Sequence, residues 1–227
     1  MADQPLLTAD DVHLSFGETR ALQGASLHVY GGEVLALMGP SGSGKSTLLH
    51  CLAGILTPES GSIRYGDRDM ATMSDSDRST LRRGEFGFVF QFGQLVPELT
   101  CQENVALPLR LAGAGRREAH RQAASWLDRL EVPDVAAKRP GQVSGGQGQR
   151  VAVARALVTR PKVIFADEPT GALDSLNGEL VMKLFIAAAK ETGAAVVLVT
   201  HEPRVAAYSD REAVVRDGRV REQEPAR

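Results

Sequence analysis

The sequence predicts an α/β fold, a mainly parallel sheet with helices that carries a helical insert. Three observations support this. Short, almost wholly apolar runs at residues 33–38, 163–166 and 196–200 have the length and composition of parallel strands buried on both faces. A glycine-rich stretch, residues 39–46, separates the first run from a helical pattern. From about Asp75 to Arg139 the pattern turns helical, and only Phe86 to Gln91 reads as a strand.

Taken in order, Leu7-Thr8-Ala9 leads into Val12, Leu14 and Phe16 at period two, and Gly17 turns the chain. Ser26 to Val29 makes a second strand, ended by Tyr30-Gly31-Gly32. Glu33 to Met38 is the first buried parallel strand. Thr47 to Leu56 carries Leu48, Leu49, Leu52, Ala53 and Leu56 at helical spacing, with a stop expected at Thr57-Pro58. Ser62 to Asp67 reads as a hairpin arm ending at Gly66-Asp67. Helical patterns follow at Arg78 to Arg83, Cys101 to Leu111 and Arg116 to Leu130. The last gathers Ala123, Trp126, Leu127 and Leu130 on one face for packing. Past Gly145 a helix runs to about Thr159, and Asn177 to Glu191 forms another between two strands. A final hairpin, Ala213 to Val220, turns at Asp217-Gly218.

The balance of 26 basic against 28 acidic residues gives a net charge of −2, which argues against a general nucleic-acid binder. No apolar run approaches the roughly 18–20 residues that span a bilayer. The start, Met-Ala-Asp-Gln-Pro, lacks the basic and apolar regions of a signal peptide. A soluble, cytoplasmic chain is therefore expected. Cys51 and Cys101 offer neither metal spacing nor a disulfide framework.

Gly39-Pro40-Ser41-Gly42-Ser43-Gly44-Lys45-Ser46 matches G-x-x-x-x-G-K-[ST] between a predicted strand and a predicted helix. Its glycines let backbone N–H groups converge on phosphate oxygens, and the helix that follows points its positive end at the same anion. Lys45 suits β- and γ-phosphate charge, and the Ser46 hydroxyl suits Mg²⁺. The motif specifies a nucleoside triphosphate and leaves open what the energy is for. A second element narrows this. Val163-Ile164-Phe165-Ala166-Asp167-Glu168 is an apolar strand ending in two carboxylates. Asp167 is placed to serve Mg²⁺, and Glu168 to polarise an attacking water as general base.

A third element is Val143-Ser144-Gly145-Gly146-Gln147, followed by Arg150 to Leu157. Ser-Gly-Gly at a helix start is a second anion site of the same physical kind. With it the chain resembles the ATP-binding-cassette (ABC) ATPases, whose signature motif is Leu-Ser-Gly-Gly-Gln. The resemblance covers essentially the whole chain. It implies a P-loop NTPase with a RecA-like core, an N-terminal antiparallel β subdomain and a helical insert carrying the signature. It also implies ATP and Mg²⁺ as ligands, and a homodimer packed head to tail in which each signature closes over the partner's ATP.

Further roles are carried over from the family. Phe16 lies where an aromatic residue stacks on adenine, and Thr47 continues the nucleotide-binding loop. Gln91 resembles the glutamine that senses Mg²⁺ and begins the contact region for the membrane subunit. Asp174, in Gly171-Ala172-Leu173-Asp174, resembles the aspartate of the D-loop at the dimer interface. His201 resembles the switch histidine that contacts γ-phosphate and the catalytic water. The core is expected at about residues 1–91 and 160–227, and the helical subdomain at about 92–159.

Two departures stand out. Val143 replaces the usual Leu, and Gly148 stands where related subunits often carry Gln. Neither removes a catalytic group, so an active ATPase is expected. Thr170-Gly171 before Ala-Leu-Asp, with Phe90-Gln91-Phe92 and Leu95 to Thr100, is similar to the macrolide-exporter and lipoprotein-release branch. Its ATPases pair with a separate integral membrane permease, so a peripheral place on the inner face of the membrane is implied. Phe92, Leu95, Val96 and Leu99 are candidates for a surface groove that takes a cytoplasmic helix of that permease. A division-type regulatory ATPase, whose permease controls cell-wall hydrolases without transport, is the alternative.

Overall fold

A computed structural model describes residues 4–222; Met1 to Asp3 of the expected N-terminal span lie outside the described residues. The chain forms two compact units, Met1–Arg82 with Ala195–Arg227, and Arg83–Ala194.

In the first unit β1 (Leu7–Phe16) and β2 (Thr19–Val29) form a hairpin, then come β3 (Val34–Met38) and helix α1 (Lys45–Leu52). Strands β4 (Ser60–Tyr65) and β5 (Arg68–Asp69) complete an antiparallel sheet ordered β2-β1-β4-β5. Helix α2 (Asp75–Glu85) leads into the second unit, which begins with β6 (Phe86–Phe90). There follow α3 (Cys101–Leu111), α4 (Arg116–Arg129), α5 (Gly145–Leu157), β7 (Val163–Asp167) and α6 (Ser175–Thr192). The first unit closes with β8 (Ala195–Val199), the short helix α7 (Pro203–Ala206), β9 (Arg211–Arg216) and β10 (Arg219–Glu222).

Strand β3 is the centre of the first unit. It pairs in parallel with β8 on one side and β9 on the other, and β9 turns back on β10. Its residues Val34 to Leu37 are fully buried, as are Val196 to Leu198 opposite. A strand covered on both faces has no polar side to show, which is why these runs do not alternate. Leu48, Leu49 and Leu52 of α1 are fully buried with them, each worth about 1.5–3 kcal/mol on burial.

Helix α1 is shorter than its apolar spacing suggests. It stops at Leu52, not near Leu56, because Gly54 adopts φ 63° just past the helix end. The amide of Gly54 donates to Cys51 O at 2.9 Å and that of Ile55 to His50 O at 2.9 Å. These two bonds make a Schellman closure, which satisfies the last carbonyls and turns the chain away.

In the second unit β6 and β7 are parallel, with Phe90 opposite Asp167. Phe165 packs edge-on to Phe86 (centroids 5.2 Å) and stacks with Phe88 (5.6 Å). Ala123, Trp126, Leu127 and Leu130 of the α4 region are all buried, as their spacing predicts. Arg129 lies 4.2 Å over the Trp126 ring, covering its face. Among the described residues no helix is long and apolar enough to cross a membrane.

Candidate active site

The residues singled out above divide between the two units. Phe16, residues 39–47 and His201 belong to the first; Gln91, Ser144, Gly145, Gly146, Gln147, Asp167, Glu168 and Asp174 belong to the second.

In the first unit the loop 39–46 leaves the carboxyl end of β3 and enters α1. Two of its glycines have no room for a side chain. A Cβ at Gly39 would lie 2.1 Å from Val215 O, and one at Gly44 would lie 2.4 Å from Ala21 O. Neighbouring backbone therefore presses the loop into shape, and Gly218 N adds a bond to Ser43 O at 3.0 Å. Lys45 is buried and curls over the loop, Nζ donating to Pro40 O at 2.8 Å. Ser43 Oγ is buried without a hydrogen-bond partner. An orphaned hydroxyl beside a buried lysine and an α-helical N-terminus is a donor set suited to an anion, so this loop fits a phosphate group.

His201 sits at the same sheet end. In the β3–β8 ladder Leu37 faces Val199, and Thr200 N donates to Leu37 O at 3.2 Å. His201 then emerges exposed, one step past the buried Thr200. Carboxyl ends of adjacent parallel strands are where ligands bind in open α/β sheets. Phe16 closes β1 at the hairpin with β2 and is 53% exposed, so its ring has a face to offer.

In the second unit the parallel register brings two residues together. Since Phe90 pairs with Asp167, Gln91 and Glu168 leave the sheet side by side. Glu168 takes φ 47°, a left-handed conformation that costs a non-glycine residue about 1–3 kcal/mol and is concentrated at functional positions. Glu168 O accepts from Gly171 N at 3.1 Å, tightening the turn that follows. A Cβ at Gly171 would lie 2.8 Å from Gln91 Nε2, so the Gln91 side chain rests against this glycine.

Ser144 is the N-cap of α5. Its Oγ accepts from Gln147 N at 3.3 Å, and Gln147 Oε1 accepts from Ser144 N at 3.0 Å. This capping box fixes the first turn, leaving early N–H groups of the helix directed outward. The buried Gly146 is pressed by α6: a Cβ there would lie 2.9 Å from Asn177 Oδ1. Asp174 caps α6, accepting from Leu176 N (3.1 Å), Asn177 N (3.0 Å) and Asn177 Nδ2 (2.6 Å). The amide of Asn177, above all, holds the Asp174 carboxyl below the ordinary carboxylate range.

Beside Ser144 a groove of about 280 Å³ is lined by Gln91, Phe92, Leu95, Val143 and Leu173 among others. Phe92 is 77% exposed; Leu95, Val96 and Leu99 are half-buried. Asn104, fully buried, holds the loop through Val96 N (2.7 Å) and Val96 O (3.0 Å). Sequence reasoning missed Asn104, Gln149 and Arg155, and read Gly171 only as a mark of the branch. The first three carried a signal, being polar residues within otherwise buried helical faces; nothing in the sequence pointed from Gly171 to Gln91.

Residues 22–171 match the ABC transporter family. The chain is 44% identical over 204 residues to lipoprotein-releasing system ATP-binding protein LolD 2 of Caulobacter vibrioides, covering 90% of each. It is 41% identical over 224 residues to the macrolide export ATP-binding/permease protein MacB of Marinobacter nauticus, a match that covers 97% of this chain but only 35% of that protein. Among solved structures, the dimeric ATP-binding cassette MJ0796 bound to ADP and Pi superposes with a TM-score of 0.88 at 38% identity, covering 97% and 99% of the two chains. The parallel strands, the separate antiparallel sheet and the phosphate loop are thus those of a P-loop NTPase, and the relatives lie in the lipoprotein-release and macrolide-export branch. The chain belongs to the ABC transporter family, as one of its ATP-hydrolysing cassettes.

Proposed function

We propose that this subunit works as a head-to-tail homodimer on the inner face of the membrane, where ATP binding and hydrolysis drive a separate integral membrane permease in export or in mechanical signalling. One observation carries the reading: the chain has two glycine-rich helix starts, and only one follows a lysine-bearing loop. A helix N-terminus with a preorganised first turn and no phosphate-binding lysine loop before it is suited to a partner's γ-phosphate. The similar cassette MJ0796 is itself a dimer in its solved structure, which supports a paired subunit here.

In this reading the loop amides, Ser43 Oγ and Lys45 bind the ATP phosphates, and Phe16 stacks on the adenine. Ser46, Gln91 and Asp167 offer hydroxyl, amide and carboxylate oxygens, a hard donor set that suits Mg²⁺ alongside substrate phosphates. Bound there, Mg²⁺ would neutralise charge on the β- and γ-phosphates. Glu168 takes the proton of the attacking water, and His201 orients that water toward the γ-phosphate. Ser144, Gly145 and Gly146 contribute from the partner subunit, with Gln147 holding their turn and Asp174 at the subunit boundary. The helical subdomain takes about residues 92–159 and the core about 1–91 and 160–227. The groove beside Gln91 receives a cytoplasmic helix of the permease.

Glu168→Gln keeps the shape and removes the base. Turnover should fall about 10²–10⁴-fold while ATP still binds. Light scattering on that variant should show dimers with ATP and monomers with ADP, and adding Ser144→Arg should abolish the difference. Nucleotide-independent association would defeat the shared-site reading.

A further inference from the structure

Just past Gln91 the backbone makes two consecutive left-handed residues, Gly93 (φ 66°) and Gln94 (φ 46°). Gly93 N donates to Phe90 O at 3.0 Å and Gln94 N to Phe92 O at 2.7 Å, so the turn is very tight. A left-handed conformation at a residue with a side chain persists only where its surroundings over-determine it. Those surroundings come from α5. Arg155 Nη2 donates to Gly93 O at 2.7 Å and Nη1 to Gln94 O at 2.8 Å. Gln149 Nε2, six residues earlier on the helix and buried, donates to Phe90 O at 2.8 Å. Gly93 lies close over the same helix, where a Cβ would meet Gln149 Oε1 at 3.4 Å and Ala152 Cβ at 3.5 Å.

The chemistry of the clamp is specific. Arg155 has two backbone carbonyls as its partners and no ion pair among the described residues. Desolvation favours the uncharged form of such a group, yet a guanidinium stays charged, so it must be satisfied by dipoles. Only a planar fork reaches two carbonyls that a strained turn aims the same way; an ammonium is a single point charge. We propose that Arg155, assisted by Gln149, is a positioning residue for Gln91. It fastens the turn after Gln91 to the helix that Ser144 begins, so the two nucleotide-facing ends of this unit keep one relative position. The proposal rests on the reading of Gln91 and Ser144 given above.

Arg150 supplies an internal control. It lies on the same helix and also grips two carbonyls, Leu130 O (3.3 Å) and Glu131 O (2.9 Å), in the turn that ends α4. Arg155→Ala, Arg155→Lys, Gln149→Ala, Arg150→Ala and Gln91→Ala should be compared in the purified full-length subunit. Chymotrypsin cleavage after the exposed Phe92, without nucleotide, reports opening of the turn. It should speed up about tenfold in Arg155→Ala and not in Arg150→Ala. Steady-state kinetics should show kcat lower by about 10–100-fold in Arg155→Ala with KM little changed, because a displaced Gln91 costs the reaction and not the encounter. Arg155→Lys should restore only part of kcat, and Gln149→Ala should show the same split more weakly, which keeps the test open should Arg155→Ala fold poorly. Unchanged cleavage in Arg155→Ala, or an equal loss of kcat in Arg150→Ala, would overturn the clamp. Should Gln91→Ala lower kcat while Arg155→Ala leaves it intact, the positioning role fails although the Gln91 reading stands. An unchanged kcat in Gln91→Ala would instead sink that reading and the role built on it.

Discussion

Glu168 and Gln91 show how single residues are held in place by their neighbours. Glu168 is held at φ 47° by the turn it enters, and Gln91 rests its amide against Gly171. Gly171→Ala should therefore push Gln91 aside, lowering turnover by about tenfold with little effect on the melting temperature. Turnover and thermal melts measured together test this, and unchanged turnover would show that Gln91 has room to adapt. Cys51 provides a contrasting residue-scale case. Burial pushes its thiol up to about 12, so the thiolate is scarce in the folded state at any physiological pH. Alkylation by iodoacetamide at pH 8 should be slow until denaturant is added.

At the scale of elements, the helix starts decide both stability and readiness for ligand. Thr100 caps α3 in a reciprocal box with Glu103, accepting from its amide at 3.2 Å and returning its own amide to Glu103 Oε2 at 3.0 Å. Thr100→Ala should cost about 1 kcal/mol in a urea melt. Gly148 works the other way. Its position in α5 leaves ordinary space, with a would-be Cβ 3.8 Å from Val143 Cγ2, so Gly148→Ala should stabilise by about 0.5–1 kcal/mol. Asp174 makes the cap of α6 sensitive to acid. Its folded pKa is depressed, so its contribution is complete above the unfolded value near 4 and is lost as pH falls through the folded one. Asn at this position still caps but does not titrate. The stability difference between the protein and its Asp174→Asn variant should accordingly shrink between neutral pH and about pH 3.

On the scale of the whole molecule, the residues singled out for the site divide between two compact units of the chain. Leu95 faces the groove beside Gln91, and Asn104 fixes the backbone of Val96 next to it. Changing Leu95 and Val96 together to Glu should leave basal ATPase of the isolated subunit within about twofold, because neither is among the residues assigned to nucleotide or Mg²⁺. The same change should abolish co-purification with the permease. Retained binding would remove the groove from its proposed role.

The α/β class, the phosphate loop, the strand ending in Asp167-Glu168 and the helix opening at Ser144 were all legible in the sequence. Each is written in contiguous residues whose local chemistry is enough: apolar runs for buried strands, glycines before a lysine, a serine ahead of a helix. The true end of α1 was legible too, in Gly54, although the apolar spacing that continues to Leu56 points past it. Tertiary structure alone decided the rest. Gly171 meets Gln91, Asn177 meets Gly146, and Arg155 grips the carbonyls of Gly93 and Gln94 across about sixty positions of chain. Such contacts join segments distant in sequence, and in the Arg155 clamp the partners are backbone atoms that every residue type carries. No local pattern encodes which carbonyl a guanidinium will find; only the packing of α5 against the end of β6 determines it.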